Sequence, residues 1–133
     1  MTNLAKARAV IEEARVAGVR EMCVCSGSRN APLLAVLSHS DLKLWTFVDE
    51  RSAAFFALGR MKLLGAPVAV VTTSGTAAAE LLPALVEAHY SGLPLVVITA
   101  DRPARFRGTG APQAIEQVNL FGVAAESRVA VEA

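Results

Sequence analysis

The sequence predicts an α/β fold, a parallel sheet with helices on both faces, and three observations carry that prediction. Short apolar runs alternate with stretches of helical periodicity along the 133 residues, and parallel strands need crossover connections of that kind. Hydrophobic residues make up 53% of the chain but aromatic residues only 5%. The core must therefore come from Ala, Val, Leu and Ile, the composition of a sheet covered on both sides. No internal repeat and no Pro, Gly or Ser linker breaks the alternation, so residues 1–133 are expected to form a single domain.

Residues Leu4 to Val16 place Ala5, Ala9, Val10, Ile11 and Val16 between charges at helical spacing, and Gly18 ends that helix. Met22 to Cys25 is a short strand, followed by the turn-forming run Ser26 to Asn30 and a helix from Pro32 to Leu37. Leu42 to Val48 is a strand leading into Asp49, Glu50 and Arg51. Ser52 to Leu64 is then a helix with Ala53, Phe56, Ala57 and Met61 on one side, stopped by Gly65. Pro67 to Val71 is a strand running into Thr73 to Thr76, and Ala77 to Tyr90 is a helix closed by Gly92. Leu95 to Ile98 is the fourth strand, ending at Asp101, Arg102 and Pro103. After an irregular stretch to Gly110, a last short helix is expected near Gln113 to Leu120. Ser127 to Val131 reads as the start of another strand, and its abrupt end suggests truncation. The crossovers are expected to be right-handed.

Charge and composition exclude several function classes. With 13 Lys plus Arg against 12 Asp plus Glu, net charge +1, there is no polybasic surface for nucleic acid or anionic lipid. Lys6, Arg8, Glu12 and Glu13 break up the apolar start, which argues against a secretory signal. Leu63 to Ala79 is the longest uncharged stretch, but Gly65, Pro67, Thr72, Thr73, Ser74 and Gly75 interrupt it, which argues against a membrane span. A cytoplasmic protein is expected. Cys23 and Cys25 are two apart in a strand, pointing to one face and too close in sequence for an ordinary disulfide. The histidines, His39 and His89, lack ligand spacing to them. Buried core thiols and no metal site are therefore expected.

In a parallel sheet, ligands bind beyond the carboxyl ends of the strands. Every strand delivers a polar cluster there: Ser28 with Arg29, Asp49 with Glu50, Ser74 to Thr76, and Asp101 with Arg102. No G-x-x-x-x-G-K-[ST], G-x-S-x-G or complete G-x-G-x-x-G accompanies them. Each cluster taken alone has an ordinary structural explanation. Asp49 is a good N-cap with Glu50 in the first turn, and Ser74-Gly75-Thr76 is a tight turn in which Ser or Thr caps the next helix. Asp101-Arg102-Pro103 is a surface turn with a solvated ion pair, and Arg29 a solvated loop cation. Their shared edge is what raises them to a candidate site.

Together these residues resemble a family. The runs Ser26-Gly27-Ser28-Arg29-Asn30-Ala31-Pro32-Leu33, Val48-Asp49-Glu50-Arg51-Ser52-Ala53-Ala54-Phe55, Thr73-Ser74-Gly75-Thr76-Ala77, Thr99-Ala100-Asp101-Arg102-Pro103 and Gly110-Ala111-Pro112-Gln113-Ala114-Ile115-Glu116-Gln117 follow in order. They are similar to the motifs of the 2-succinyl-5-enolpyruvyl-6-hydroxy-3-cyclohexene-1-carboxylate synthases of menaquinone biosynthesis, which depend on thiamine diphosphate. The likeness runs from about Val24 to Gly122. It departs from the family pattern at Ser26, where Pro is common, at Asn30, where Ser is usual, and at Pro112, where Asn often stands.

The resemblance implies the pyrimidine-binding domain, the first of three in a longer, homodimeric subunit. It makes Glu50 the catalytic carboxyl that hydrogen-bonds N1′ of the aminopyrimidine, with Gly75 and Thr76 also at the cofactor. That role asks for a carboxyl that keeps or shares its proton, which requires apolar surroundings against the pull of a helix N-terminus. Leu44, Trp45, Phe47, Phe55 and Phe56 are candidates for those surroundings. The resemblance further makes Ser28, Arg29, Arg102 and Gln113 the contacts for 2-oxoglutarate and isochorismate, whose carboxylates suit guanidinium forks. Thiamine diphosphate would be anchored through Mg²⁺ by a Gly-Asp-Gly segment and a downstream Asn of another domain. No Gly-Asp-Gly occurs here, and the asparagines are Asn3, Asn30 and Asn119, so the chain alone is expected to be inactive. A carboligase of the acetolactate-synthase kind and a non-catalytic pairing module are the alternatives.

Overall fold

The computed structural model describes residues 2–125; the strand expected at Ser127 to Val131 lies outside them. Four strands form one parallel sheet: β1 (Glu21–Cys25), β2 (Lys43–Phe47), β3 (Val68–Thr72) and β4 (Leu95–Thr99), in the spatial order β2-β1-β3-β4. The register pairs Cys25 with Phe47, Val24 with Val71, and Thr72 with Thr99. Because every pair is parallel, the four carboxyl ends share one edge. The expected α/β class stands.

Alternation along β1 divides the core in two. Met22 and Val24 point to one face, where Ala69 and Val71 join Ile11 and Ala14 of helix α1 (Asn3–Val16) and Leu37 of α2 (Ala31–Leu37). Cys23 and Cys25 point to the other, against Ala53, Ala54 and Ala57 of α3 (Glu50–Leu64) and Ala84 and Ala88 of α5 (Leu82–Ser91). The alanines let the helices approach the sheet closely, and β3 is buried along its whole length. Both thiols are free and buried, as expected. Burial pushes the Cys23 thiol up to about 12.

Local signals account for most boundaries. Thr2 caps α1 by accepting from the Ala5 N–H at 3.2 Å, and α3 ends at Gly65 in the left-handed conformation, φ 63°. At the amino end of the sheet the Glu21 carboxylate accepts from Arg60 at 2.8 and 2.6 Å and from the Trp45 indole at 2.8 Å. This cluster ties α3 to β1 and β2, and Trp45 and Phe47 each meet Phe56 at 5.1 Å between ring centroids.

Three sequence expectations are corrected. The helix expected from Ala77 to Tyr90 is two: α4 (Thr76–Ala79) and, after a break, α5. Pro83 in the first turn of α5 has no N–H to continue the helix, and its ring would strike the carbonyl four residues back. The helix expected near Gln113 to Leu120 does not form. Gln113 and Asn119 take left-handed φ values of 56° and 63°, and Gln117 bonds to distant backbone instead. Single 3₁₀ turns occur at Ala104–Phe106 and Gly122–Ala124. The second strand is also shorter than expected, leaving Val48 fully exposed.

Candidate functional site

At the end of β1, the side chain of Asn30 is wholly buried and bridges its own turn. Its Nδ2 donates to the Cys25 carbonyl at 2.8 Å and its Oδ1 accepts from the Gly27 N–H at 2.9 Å. This folds the turn back on the strand and leaves Ser28 and Arg29 exposed at its tip. Gly27 sits against Thr73, the residue after β3, so closely that a Cβ there would stand 2.5 Å from the Thr73 Cβ. The chain leaves β1 toward β2 on one side, and β3 and β4 lie on the other. The Gly27–Thr73 contact therefore occupies the point at which strand order reverses, the usual crevice of such sheets. Thr73 is 5% exposed and its Oγ1 has no partner among the described residues.

At the end of β2, two neighbouring carboxylates divide their duties. Asp49 is the N-cap of α3: it accepts from the Ser52 N–H at 2.7 Å, and its bonding to Ser52 holds its carboxyl below the usual range. Glu50, the first residue of the helix, is half-buried, and its carboxylate makes no hydrogen bond or ion pair among the described residues. The cap thus belongs to Asp49, and Glu50 keeps only the favourable first-turn position at the helix N-terminus. Nearby, burial pushes the Cys25 thiol up to about 11, with the charges of Glu50 and Asp49 adding to it. Of the apolar surroundings proposed for Glu50, Trp45, Phe47 and Phe56 gather on the α3 face. Leu44 packs in the opposite core and Phe55 is exposed.

The ends of β3 and β4 are joined by the loop 112–117. Ser74 does not cap α4: its Oγ donates to the Gln113 carbonyl at 2.9 Å. Gly75, with φ 82°, is itself the N-cap, and its N–H donates to the Gln117 Oε1 at 2.8 Å. Gln117 Nε2 in turn donates to the Ala100 carbonyl at 2.9 Å. A Cβ on Gly75 would lie 3.0 Å from the Gln113 Cα. Arg102 donates from Nη2 to the Pro112 carbonyl at 2.6 Å, while its Nε is buried without a partner. Asp101 accepts from the Arg102 N–H at 2.7 Å and pairs with Arg107 at 3.2 Å.

Gly75, Arg102 and Gln113 are therefore brought together. Ser28 and Arg29 stand on the turn that abuts Thr73, Thr76 is exposed just inside α4, and Glu50 lies beyond β1 on the same edge. The side chain of Gln113 is exposed while its backbone does the packing. Gln117, Asn30 and Thr73 were not singled out by sequence reasoning, because amides and hydroxyls on loops carry no distinguishing spacing. A groove between α1 and α2 is lined by Leu4, Arg8, Ile11, Val36 and His39, and no candidate residue reaches it. Among the described residues no three His, Cys, Asp or Glu gather as a metal site, and no helix is long and apolar enough to cross a membrane.

Comparison with known proteins points the same way. The family model for the N-terminal TPP binding domain of thiamine pyrophosphate enzymes matches residues 5–120. A 2-succinyl-5-enolpyruvyl-6-hydroxy-3-cyclohexene-1-carboxylate synthase of Bdellovibrio bacteriovorus is 56% identical over 122 residues, 91% of this chain and 23% of that protein. Its namesake in Akkermansia muciniphila is 60% identical over 117 residues, 87% of this chain and 22% of that protein. The chain thus spans under a quarter of the length of the curated relatives it matches. Among solved structures, a thiamine diphosphate-dependent 4-hydroxybenzoylformate decarboxylase of Rhodococcus jostii RHA1 superposes with a TM-score of 0.78. The superposition covers 90% of this chain and 23% of that one at 19% identity, a likeness of fold.

Proposed function

This chain belongs to the thiamine pyrophosphate enzymes, as their N-terminal TPP binding domain, and from that premise we propose that it is the pyrimidine-binding domain of a 2-succinyl-5-enolpyruvyl-6-hydroxy-3-cyclohexene-1-carboxylate synthase. The whole enzyme would decarboxylate 2-oxoglutarate and add the remaining four-carbon unit to isochorismate. Its relatives of that name at 56% and 60% identity support this reading over an acetolactate-synthase-like one.

The residues present fit the aminopyrimidine. Glu50 offers a half-buried carboxylate free of other partners, and Gly27 and Gly75 let Thr73 and the Gln113 backbone pack tightly at the strand ends. Thr73 Oγ1 adds a buried hydroxyl in need of a partner. Bound thiamine diphosphate would supply the electron sink for decarboxylation, its diphosphate and Mg²⁺ held by residues outside this chain. Glu50 would hold a proton between its carboxyl and N1′ of the pyrimidine. Gly75 and Thr76 would border the ring. Arg29 and Arg102 would bind substrate carboxylates, with Ser28 and Gln113 as further hydrogen-bonding partners.

One observation carries the reading: Glu50, its carboxylate without a partner, stands on the same sheet edge at which the 112–117 loop joins Arg102 to Gly75. We further propose a cytoplasmic homodimer that covers exposed apolar residues such as Val48, Leu63 and Tyr90. The deciding experiment assays the full-length protein with thiamine diphosphate and Mg²⁺ for isochorismate consumption that depends on 2-oxoglutarate. Consumption of pyruvate with release of carbon dioxide, and none of isochorismate, would favour the acetolactate-like alternative. Calorimetry on the 133-residue chain alone should detect weak cofactor binding or none, and micromolar metal-dependent binding would mean that the diphosphate site lies within this chain.

A further inference from the structure

We propose that Gln117 is a positioning residue whose amide locks the 112–117 loop across the ends of β3 and β4, and so sets Arg102 and Gln113 for the substrate carboxylates. The inference rests on the function proposed above. Gln117 is not one of the residues to which that function gives a substrate or cofactor role; it acts through backbone.

The amide has one orientation open to it. Its oxygen must accept from the Gly75 N–H, at 2.8 Å, and its nitrogen must donate to the Ala100 carbonyl, at 2.9 Å. These groups lie just past the ends of adjacent strands, 42 and 17 residues away in sequence. Ala100 continues the pairing of the two strands through its N–H to the Thr72 carbonyl at 3.1 Å. Gln117 therefore bridges two fixed exits, and neither group has another partner in the turn to replace it.

Between Pro112 and Gln117 the loop forms no helix or strand, and Gln113 sits at φ 56°, an unfavourable region for a residue with a Cβ. That conformation needs support from outside. Ser74 Oγ supplies it on the Gln113 carbonyl and Gly75 by close packing, while Gln117 anchors the other end. Arg102 grips the Pro112 carbonyl at 2.6 Å, so a loop released by loss of Gln117 carries away the partner that orients its guanidinium. Glu50 is on β2's side of the sheet and touches none of these groups, so loosening the loop should impair substrate binding rather than proton handling.

The test uses the full-length protein and the variants Gln117→Ala and Gln117→Glu. Gln117→Ala should raise the KM for 2-oxoglutarate or isochorismate roughly 10- to 10²-fold, the effect of a small misplacement of a binding group, while kcat stays within about threefold. Gln117→Glu keeps an acceptor for Gly75 but sets a carboxylate oxygen against the Ala100 carbonyl, and should raise KM as well. Hydrogen exchange on the unliganded protein gives a readout independent of activity: the Gly75 amide should be protected in the wild type and in Gln117→Glu, and unprotected in Gln117→Ala. An unchanged KM in Gln117→Ala, a fall in kcat alone, or a Gly75 amide that exchanges equally fast in the wild type overturns the proposal. If Gln117→Ala does not fold, Gln117→Glu decides, and a wild-type KM in it overturns the proposal. Wild-type protein that does not turn over the two substrates would refute the functional reading instead, and the Gly75 exchange would still test the clamp.

Discussion

Gly27 packs against Thr73 with no space for a side chain, a Cβ on the glycine falling 2.5 Å from the threonine Cβ and 2.8 Å from its Oγ1. The clash is with atoms near the backbone, so relief requires the two strand ends to separate. Gly27→Ala should cost about 1–3 kcal/mol in urea unfolding, as overpacking does. Gly59, on the exposed side of α3, has nothing within 4 Å of its would-be Cβ. There Gly59→Ala should stabilise by roughly 0.5–1 kcal/mol through helix propensity. Equal effects at the two sites would remove the close approach as the explanation.

Asp49 and Glu50 should separate cleanly by mutation. Asp49→Ala removes the acceptor of the Ser52 N–H and should lower the melting temperature. Glu50→Gln should leave the melting temperature nearly unchanged but reduce kcat of the full-length enzyme roughly 10²- to 10⁴-fold, the range of general acid–base groups. Near-normal turnover in Glu50→Gln would reduce Glu50 to a first-turn residue.

Arg102 and Arg29 are expected to bind substrate in different settings. Arg102 is half-buried and braced on the Pro112 carbonyl, whereas Arg29 is exposed at a turn tip. Replacing either with Ala should raise substrate KM, and Arg102→Lys should fail to restore it because an ammonium lacks the planar fork. Steady-state kinetics with both substrates varied would show this. Full activity in Arg102→Lys would argue against bidentate binding.

The Glu21 cluster gives the fold an acid-sensitive fastening. Hydrogen bonds from Arg60, then Trp45, hold the Glu21 carboxyl below its ordinary 4.5 despite partial burial. A carboxylate depressed in this way binds its proton less readily folded than unfolded. Its contribution is therefore complete above 4.5 and lost as pH falls through the lowered folded value. Glu21→Gln should be less stable than wild type at about pH 7, with a difference that narrows in acid. Thermal melts across that range check the sign, and a difference that widened in acid would reverse the assignment.

Cys23 and Cys25 should be inert in the folded protein, since burial raises them to about 12 and about 11. Neither thiol is a thiolate near neutral pH, and neither is reachable. Iodoacetamide should label both only after denaturation. Rapid labelling of Cys25 under native conditions would show that the end of β1 opens.

Met22 to Cys25, the helix from Asp49's cap to Gly65, and the polar cluster closing each strand could all be recognised from sequence. Their causes are local: alternation within a strand, a cap three residues from its donor, a glycine at positive φ. Local reasoning misread Ala77 to Tyr90 because apolar periodicity outweighed Pro83. It misread Gln113 to Leu120 because the side chain that decides that segment bonds to Gly75 and Ala100 rather than to its own helix. Sequence therefore determined which residues gather beyond the strand ends, since strand direction alone sends them there. Only the tertiary structure decided which of them meet: the order β2-β1-β3-β4 seats Gly27 on Thr73 and ties Arg102 to the turn at Gly75.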